Sequence, residues 1–236
     1  MVNIGKDEGM SIRPFSGGNF GRAYYFDGID DYIDCGNGSS LNITGQITLE
    51  AWVFQCWDGG VDRIIIDKLG SSGGYKLYLL TSQLYFAFQS SGGVVIPYYA
   101  TPALTLFHWY HVAVTFDDTL TSNNVKFYIN GVLRQTNSEN TYDLANNSLN
   151  LMIGKKTTEA SGYFNGFIEE VRVSNNIRTF TPGSINGPYS PDSNTKLLLH
   201  FDGNADDYSG NRNNGTVTGA TLTDEYEAIP VGEIKA

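Results

Sequence analysis

Asn130-Gly131 stands between two short alternating runs, Val125-Lys126-Phe127-Tyr128-Ile129 and Val132-Leu133-Arg134-Gln135. A two-residue loop joining antiparallel strands needs positive φ twice, which Asn-Gly tolerates best, so this stretch reads as a β-hairpin. The same texture, short apolar-rich runs cut by turn residues, fills the chain. Further strands are expected at 22–27, 31–35, 47–56, 62–69, 74–80, 83–90, 93–98, 109–116, 148–154, 165–174 and 196–202. No amphipathic helix of three turns is visible, and residues 101–107 have room for one helical turn. Strands at this spacing over 236 residues predict an all-β fold, an antiparallel two-sheet β-sandwich of jelly-roll type. A chain of this length buries roughly 70% of the surface its unfolded form exposes and needs no staple to fold.

Composition narrows the partners. The net charge of −10 repels a phosphate backbone, so neither nucleic acid nor an anionic membrane surface is expected. No apolar run approaches the roughly 20 residues that span a bilayer, so no membrane insertion is expected. Residues 1–20 lack a basic stretch followed by an apolar one, so no signal peptide is evident. They read as a flexible leader or an anchoring arm. Residues 21–225 read as one sandwich, closed by C-terminal strands within 196–218, and 226–236 as a tail. Cys35 and Cys56 leave two readings, one bridge or two free, half-buried thiols, of which free thiols are preferred.

Ile47–Phe54 and Trp109–Phe116 are apolar on both faces, as expected of mid-sheet strands whose outer face is partly covered. Trp52 and Trp109 are therefore assigned to the core. Residues 175–195 carry Pro182, Gly187, Pro188 and Pro191 and read as a long connection. It is either a linker to a small C-terminal unit or a surface crossover. The crossover is preferred, because Lys196–Asp202 is too apolar to stand without a partner strand. Tyr25-Phe26-Asp27-Gly28 is echoed by His200-Phe201-Asp202-Gly203, which suggests an Asp-Gly at two strand ends.

Period two puts Phe167, Glu169, Val171 and Val173 on one face, expected to be the core face. A carboxylate there must pair with an arginine, accept backbone N–H bonds or bind a cation. Glu170 falls on the other face, where an ion pair with Arg172 in solvent explains it. Two oxygen-rich loops, Asp27–Asp31 and Asp202–Asn211, offer further ligands of the kind Ca²⁺ takes. Asp, Asn and Gly are also simply what turns are made of. Zinc is disfavoured, because the histidines and cysteines show no ligand spacing.

These segments resemble the concanavalin A-like lectin/glucanase superfamily, specifically its laminin-G-like, pentraxin-related domains of phage and bacterial type. The resemblance is carried by Phe26–Ile33, Ile47–Val53, Trp109–Phe116, Lys126–Gly131 and Asn165–Ser174, which occur in the family's order. The Asp207–Gly215 element looks like one that usually opens such a domain, and lies here at the C-terminal end, as in phage-encoded versions. The resemblance implies a concanavalin A-like jelly roll, often with one structural calcium ion and glycan binding. Its metal ligands would be Asp27, Glu169 and Asp207, with Asp30 and Asp202 in reserve. The family's usual Asp is replaced by Glu at 169.

No enzyme is expected. Retaining glycosidases need two carboxyls roughly 5–5.5 Å apart, and the adjacent Glu169 and Glu170 point to opposite faces. No nucleophile motif or phosphate loop is evident. Two functions remain. One is a non-catalytic carbohydrate-binding module for a glycan or cell-surface polysaccharide, with Trp57, Asp58, Tyr98, Tyr99 and Tyr163 as sugar contacts, extracellular or mounted on a virion for adsorption to a host. The other is a structural or decorating part of a virion or other assembly, partnered by other virion or surface proteins and without glycan affinity.

Overall fold

The computed structural model describes residues 22–93, 95–100, 102–138, 142–185 and 187–224, with the side chains of residues 95–100 and 224 outside that set. Its strands are β1 (Arg22–Asp27), β2 (Tyr32–Asp34), β3 (Ile47–Gln55), β4 (Arg63–Asp67), β5 (Tyr75–Leu80), β6 (Gln83–Gln89), β7 (Val95–Ala100) and β8 (Trp109–Phe116). They continue as β9 (Val125–Ile129), β10 (Val132–Asn137), β11 (Met152–Ile153), β12 (Asn165–Ser174), β13 (Thr195–Leu199), β14 (Thr216–Thr218) and β15 (Thr221–Asp224). Among the described residues the helical content is a single 3-10 turn, Ser39–Leu41. Residues 102–107, the described part of 101–107, form no helical turn, and β11 is far shorter than the strand expected at 148–154.

All pairings between strands are antiparallel. An eight-stranded sheet runs β10-β9-β8-β3-β12-β1-β15, with β13 also paired to β12. A seven-stranded sheet runs β14-β2-β11-β4-β5-β6-β7. The β9–β10 hairpin turns at Asn130 and Gly131, whose φ values of 52° and 72° are both positive as the turn requires. Inner faces supply one continuous core. Leu49, Ala51 and Val53 of β3 and Val112, Val114 and Phe116 of β8 meet Leu77, Leu79, Phe86 and Phe88 of the second sheet. The stacked Phe88 and Phe116 rings, 4.6 Å apart, join the two layers.

The connection after β12 is a crossover that returns the chain to the same sheet. β13 lies beside the second half of β12, with Val171 opposite Leu199, while β1 lies beside its first half, with Tyr24 opposite Ile168. β13 and β1 thus sit end to end along one strand. The C-terminal hairpin, whose second strand lies beyond the expected closing strands, has β14 on β2 and β15 on β1, so it ties the two sheets together.

Two expectations about β12 are overturned by one β-bulge. Glu169 pairs with Trp52 but Arg172 pairs with Glu50, so β12 carries an extra residue there, with Glu170 at φ 49°. A bulge shifts the alternation by one position. Ile168, Val171 and Val173 face the core, and Phe167 and Glu169 face outward with Trp52. Glu169 is therefore not on the core face. Glu170 is not in solvent beside Arg172 either: it is buried, and its Oε1 lies 2.6 Å from His200 Nδ1.

Trp52 and Trp109 are half-buried on the outer face rather than in the core. There Trp109, Phe54, Phe167 and Tyr25 form an aromatic cluster with ring separations of 5.2–6.2 Å. Cys35 and Cys56 are both free and fully buried. Burial pushes the Cys56 thiol up to about 12.

Candidate functional site

Asn165, the first residue of β12, organises one end of the sandwich. Its side-chain Nδ2 donates to the Asp27 carbonyl at 2.7 Å, and its own carbonyl accepts from Cys56 N–H at 3.0 Å. It thereby holds the β1–β2 turn on one side and the β3–β4 loop on the other. Among the described residues its Oδ1 is buried without a donor.

The β1–β2 turn closes on its own carboxylates. Asp27 Oδ1 accepts from Ile29 N–H at 2.7 Å and Asp30 N–H at 3.4 Å, and Asp31 Oδ2 accepts from Asp27 N–H at 2.8 Å. This brings one carboxylate oxygen each from Asp27, Asp30 and Asp31 within 4.8 Å of one another. Asp31 is buried, and that burial, with the charges of Asp27 and Asp30, raises its pKa above the ordinary carboxylate range. The β14–β15 turn closes over it. A Cβ on Gly219, whose φ is 74°, would fall 1.9 Å from Asp31 Oδ1.

The β3–β4 loop is built around Arg63. Its guanidinium lies 4.4 Å from the centroid of the Trp57 ring. Nε donates to the Asp58 carbonyl at 3.1 Å, and one terminal nitrogen donates to the Tyr163 carbonyl at 2.7 Å. Gly59, with φ 62°, passes so close that a Cβ there would sit 2.4 Å from the Trp57 ring edge. Trp57 is therefore braced by a cation on its face, at half-burial, rather than laid loose on the surface.

Of the residues singled out in the sequence, Trp57 lies against Arg63 with its ring, Asp58 and Tyr163 meet Arg63 through their main-chain carbonyls, and Asp27 and Asp30 meet Asp31. The backbone of Tyr98 and Tyr99 lies in β7, and their side chains lie outside the described set. Glu169, Asp202 and Asp207 join no group of three possible ligands among the described residues. Glu169 sits mid-strand on the outer face, and Asp202 is exposed just beyond β13. Asp207 accepts from Leu198 N–H, Ser209 N–H, Ser209 Oγ and Asn213 N–H at 2.8–3.0 Å, so it anchors the loop after β13. Sequence reasoning passed over Arg63, Asn165 and Gly219. An arginine opening an apolar strand was the available signal for the first, and nothing local marks the other two.

A laminin-G family model, described as concanavalin A-like lectin/glucanases superfamily, matches residues 27–186, more than half of the chain. The chain belongs to this superfamily. Solved structures agree in fold. A candidate carbohydrate-binding protein from Bacteroides ovatus ATCC 8483 superposes with TM-score 0.64 at 21% identity, over 86% of this chain and 60% of that one. The chain thus spans about 60% of that protein's length. The heptameric SAP-like pentraxin of Limulus polyphemus gives TM-score 0.57 at 14% identity, over 91% of this chain and 97% of that one. The CBM40 of the Ruminococcus gnavus IT-sialidase, bound to α2,3 sialyllactose, gives 0.50 at 15% identity, over 60% and 82%. Curated protein sequences offer no match. In this chain the loops at the Asn165 end hold the acids and the braced tryptophan.

Proposed function

We propose that this superfamily member is a non-catalytic carbohydrate-binding module whose sugar site lies at the Asn165 end of the sandwich. The carrying observation is the Trp57 ring fixed by Arg63, itself held by the main-chain carbonyls of Asp58 and Tyr163, beside the Asp27–Asp31 turn. An aromatic ring fixed by a guanidinium presents a rigid edge and face to a pyranose, and the neighbouring carboxylates accept from its hydroxyls. The similar structures from Bacteroides ovatus and Ruminococcus gnavus, with carbohydrate binding in their descriptions, support the reading.

Calcium fits this end. Three carboxylates with oxygens within 4.8 Å repel one another, and only part of their lone pairs is spent on backbone donors. Asp27, Asp30 and Asp31 would hold the ion, which would neutralise their repulsion and, if a coordination position stays open, polarise sugar hydroxyls. Asp31 replaces Glu169 and Asp207 as the third ligand in this reading.

Exposed Ile29 and Val61, 47% and 49% accessible on these same loops, favour a second reading, contact with a neighbouring protein in a virion or surface assembly. Thermal unfolding of the full chain with Ca²⁺ and with a chelator, followed by a glycan array in Ca²⁺, separates the two. A cation that binds the native state raises the midpoint. A calcium-dependent rise abolished by Asp31→Asn, together with a sugar hit abolished by Trp57→Ala, is the expected result. No rise and no hit would leave the assembly role standing.

A further inference from the structure

The crossover between β12 and β13 does not lie flat on the outer face of the eight-stranded sheet. It is pinned at both ends. Thr48 Oγ1 donates to the Asn176 carbonyl at 2.6 Å, and Asn175 N–H donates to the Asn194 carbonyl at 3.0 Å. Arg178 donates to Asp192 at 2.8 and 3.2 Å, and Tyr189 N–H donates to Glu170 Oε2 at 3.0 Å. Between these anchors it leaves a cavity of about 440 Å³, lined among others by Glu50, Arg172, Asn176, Arg178, Phe180 and Tyr189. That volume lies within the roughly 300–1,000 Å³ of small-molecule sites.

The cavity has a charged floor that is already neutralised. Glu50 is fully buried, its Oε1 accepts from Arg172 Nε at 2.7 Å, and its Oε2 lies 3.1 Å from His111 Nε2. Burial alone would raise its pKa, but the His111 hydrogen bond and the Arg172 charge hold it below the ordinary value. Arg178 is likewise matched by Asp192. The cavity therefore offers hydrogen bonding without net charge.

Some of that hydrogen bonding is unspent. Arg172 uses Nε for Glu50 and stacks 4.2 Å over the Tyr189 ring, and its two terminal nitrogens donate to no acceptor among the described residues. Asn176 Oδ1 is buried with no donor among the described residues. Phe180 and Tyr189, both half-buried, supply aromatic walls. Donors, one lone acceptor and aromatic walls match a polyol ring with an apolar C–H face. With the charges of Arg172 and Arg178 already answered by Glu50 and Asp192, the cavity keeps no unmatched cation for a carboxylate. We propose that the cavity beneath the crossover is a second binding site, sized for one uncharged pyranose and separate from the Asn165 end.

The test is titration of the ¹⁵N-labelled full chain with the methyl glycosides of glucose, galactose, mannose and N-acetylglucosamine, with glucuronate as the charged comparison. Saturable shifts at the amides of residues 176–180 and Tyr189 with at least one neutral glycoside are expected. Asn176→Ala should weaken that binding at least tenfold while leaving the melting midpoint in place, because Asn176 Oδ1 holds no donor among the described residues. Arg172→Met is the second variant. Shifts confined to Trp57 and Tyr163 would overturn this site while leaving the loop site intact. Crossover shifts with no loop shifts would do the reverse. No crossover shift with any neutral glycoside, a response to glucuronate alone, or a response indifferent to Asn176→Ala would also overturn it.

Discussion

His200 Nδ1 lies 2.6 Å from Glu170 Oε1 at the seam where β13 ends and β1 begins along β12. Glu170 occupies the bulge, at positive φ, and its other oxygen holds Tyr189 N–H. One buried carboxylate therefore fastens both the end of β13 and the crossover.

This pair makes stability depend on pH. The hydrogen bond from His200 to Glu170, partly opposed by burial, raises the histidine pKa above its ordinary 6.5. A raised folded-state pKa means the contribution is fully present below the unfolded pKa, near 6.5, and is lost as pH rises through the folded value. Melting midpoints of wild type and His200→Gln should differ most below pH 6 and converge in mildly alkaline buffer. A constant difference across that range would show that the pair contributes through packing alone.

Asp67 gives a second window of the same sign. Its burial raises the carboxyl pKa to about 7, against smaller lowering effects from Leu69 N–H, Lys76, Thr157 N–H and Lys156. The folded state binds the proton more tightly than the unfolded one, so the contribution is present below about pH 4 and fades as pH rises through 7. The stability of Asp67→Asn relative to wild type should accordingly improve between pH 4 and pH 7.5. Paired denaturant titrations at these pH values read the difference directly, and a flat difference would contradict the assignment.

Arg63 is the residue on which the loop site hangs. Replacing it with alanine removes the cation over Trp57 and strands the Asp58 and Tyr163 carbonyls. A fully buried unpaired acceptor costs about 1–3 kcal/mol and these two are half-buried, so a loss of about 2–4 kcal/mol is expected for the pair. Any sugar bound at the loops should be lost as well. Arg63→Lys keeps charge without the planar fork and should recover little of the affinity. Isothermal titration with whichever glycan the array identifies measures this.

Gly219→Ala tests the turn that closes on the acids. The added methyl would meet Asp31 Oδ1 at 1.9 Å, in a conformation of φ 74° that side chains disfavour. The variant should lose about 1–3 kcal/mol of stability, and any calcium-dependent rise in its midpoint should shrink or vanish. A full calcium response would place the ion away from Asp31.

In the core, Phe116→Ala removes the ring that stacks on Phe88 between the sheets. A loss of about 3–5 kcal/mol is expected, as for other large aromatic deletions. Urea denaturation reads it, with the unfolding slope unchanged.

Local chemistry made the strands legible. Asn130-Gly131, the alternating runs and the absence of helical periodicity follow from backbone sterics and side-chain period, which act over a few residues. They placed β1, β3, β8 and β12 close to their observed bounds. The acids of the β1–β2 turn and the aromatic of the β3–β4 loop were also visible as types, because turns that fold on their own side chains are spelled in consecutive residues.

What the residues opposite each other would be was not written locally. The bulge at Glu170 put Glu169 on the outer face and drew Glu170 to His200, because one extra residue inverts the faces on one side of it relative to the other. Asn165, Arg63 and Gly219 became parts of a site only when strands distant in sequence set their loops side by side. The crossover's cavity likewise exists only because the chain left β12, spanned the sheet and came back. Strand identity is a short-range property of the chain, whereas strand register and loop proximity are settled by the packing of the whole sandwich, and the candidate sites of this protein are made of the latter.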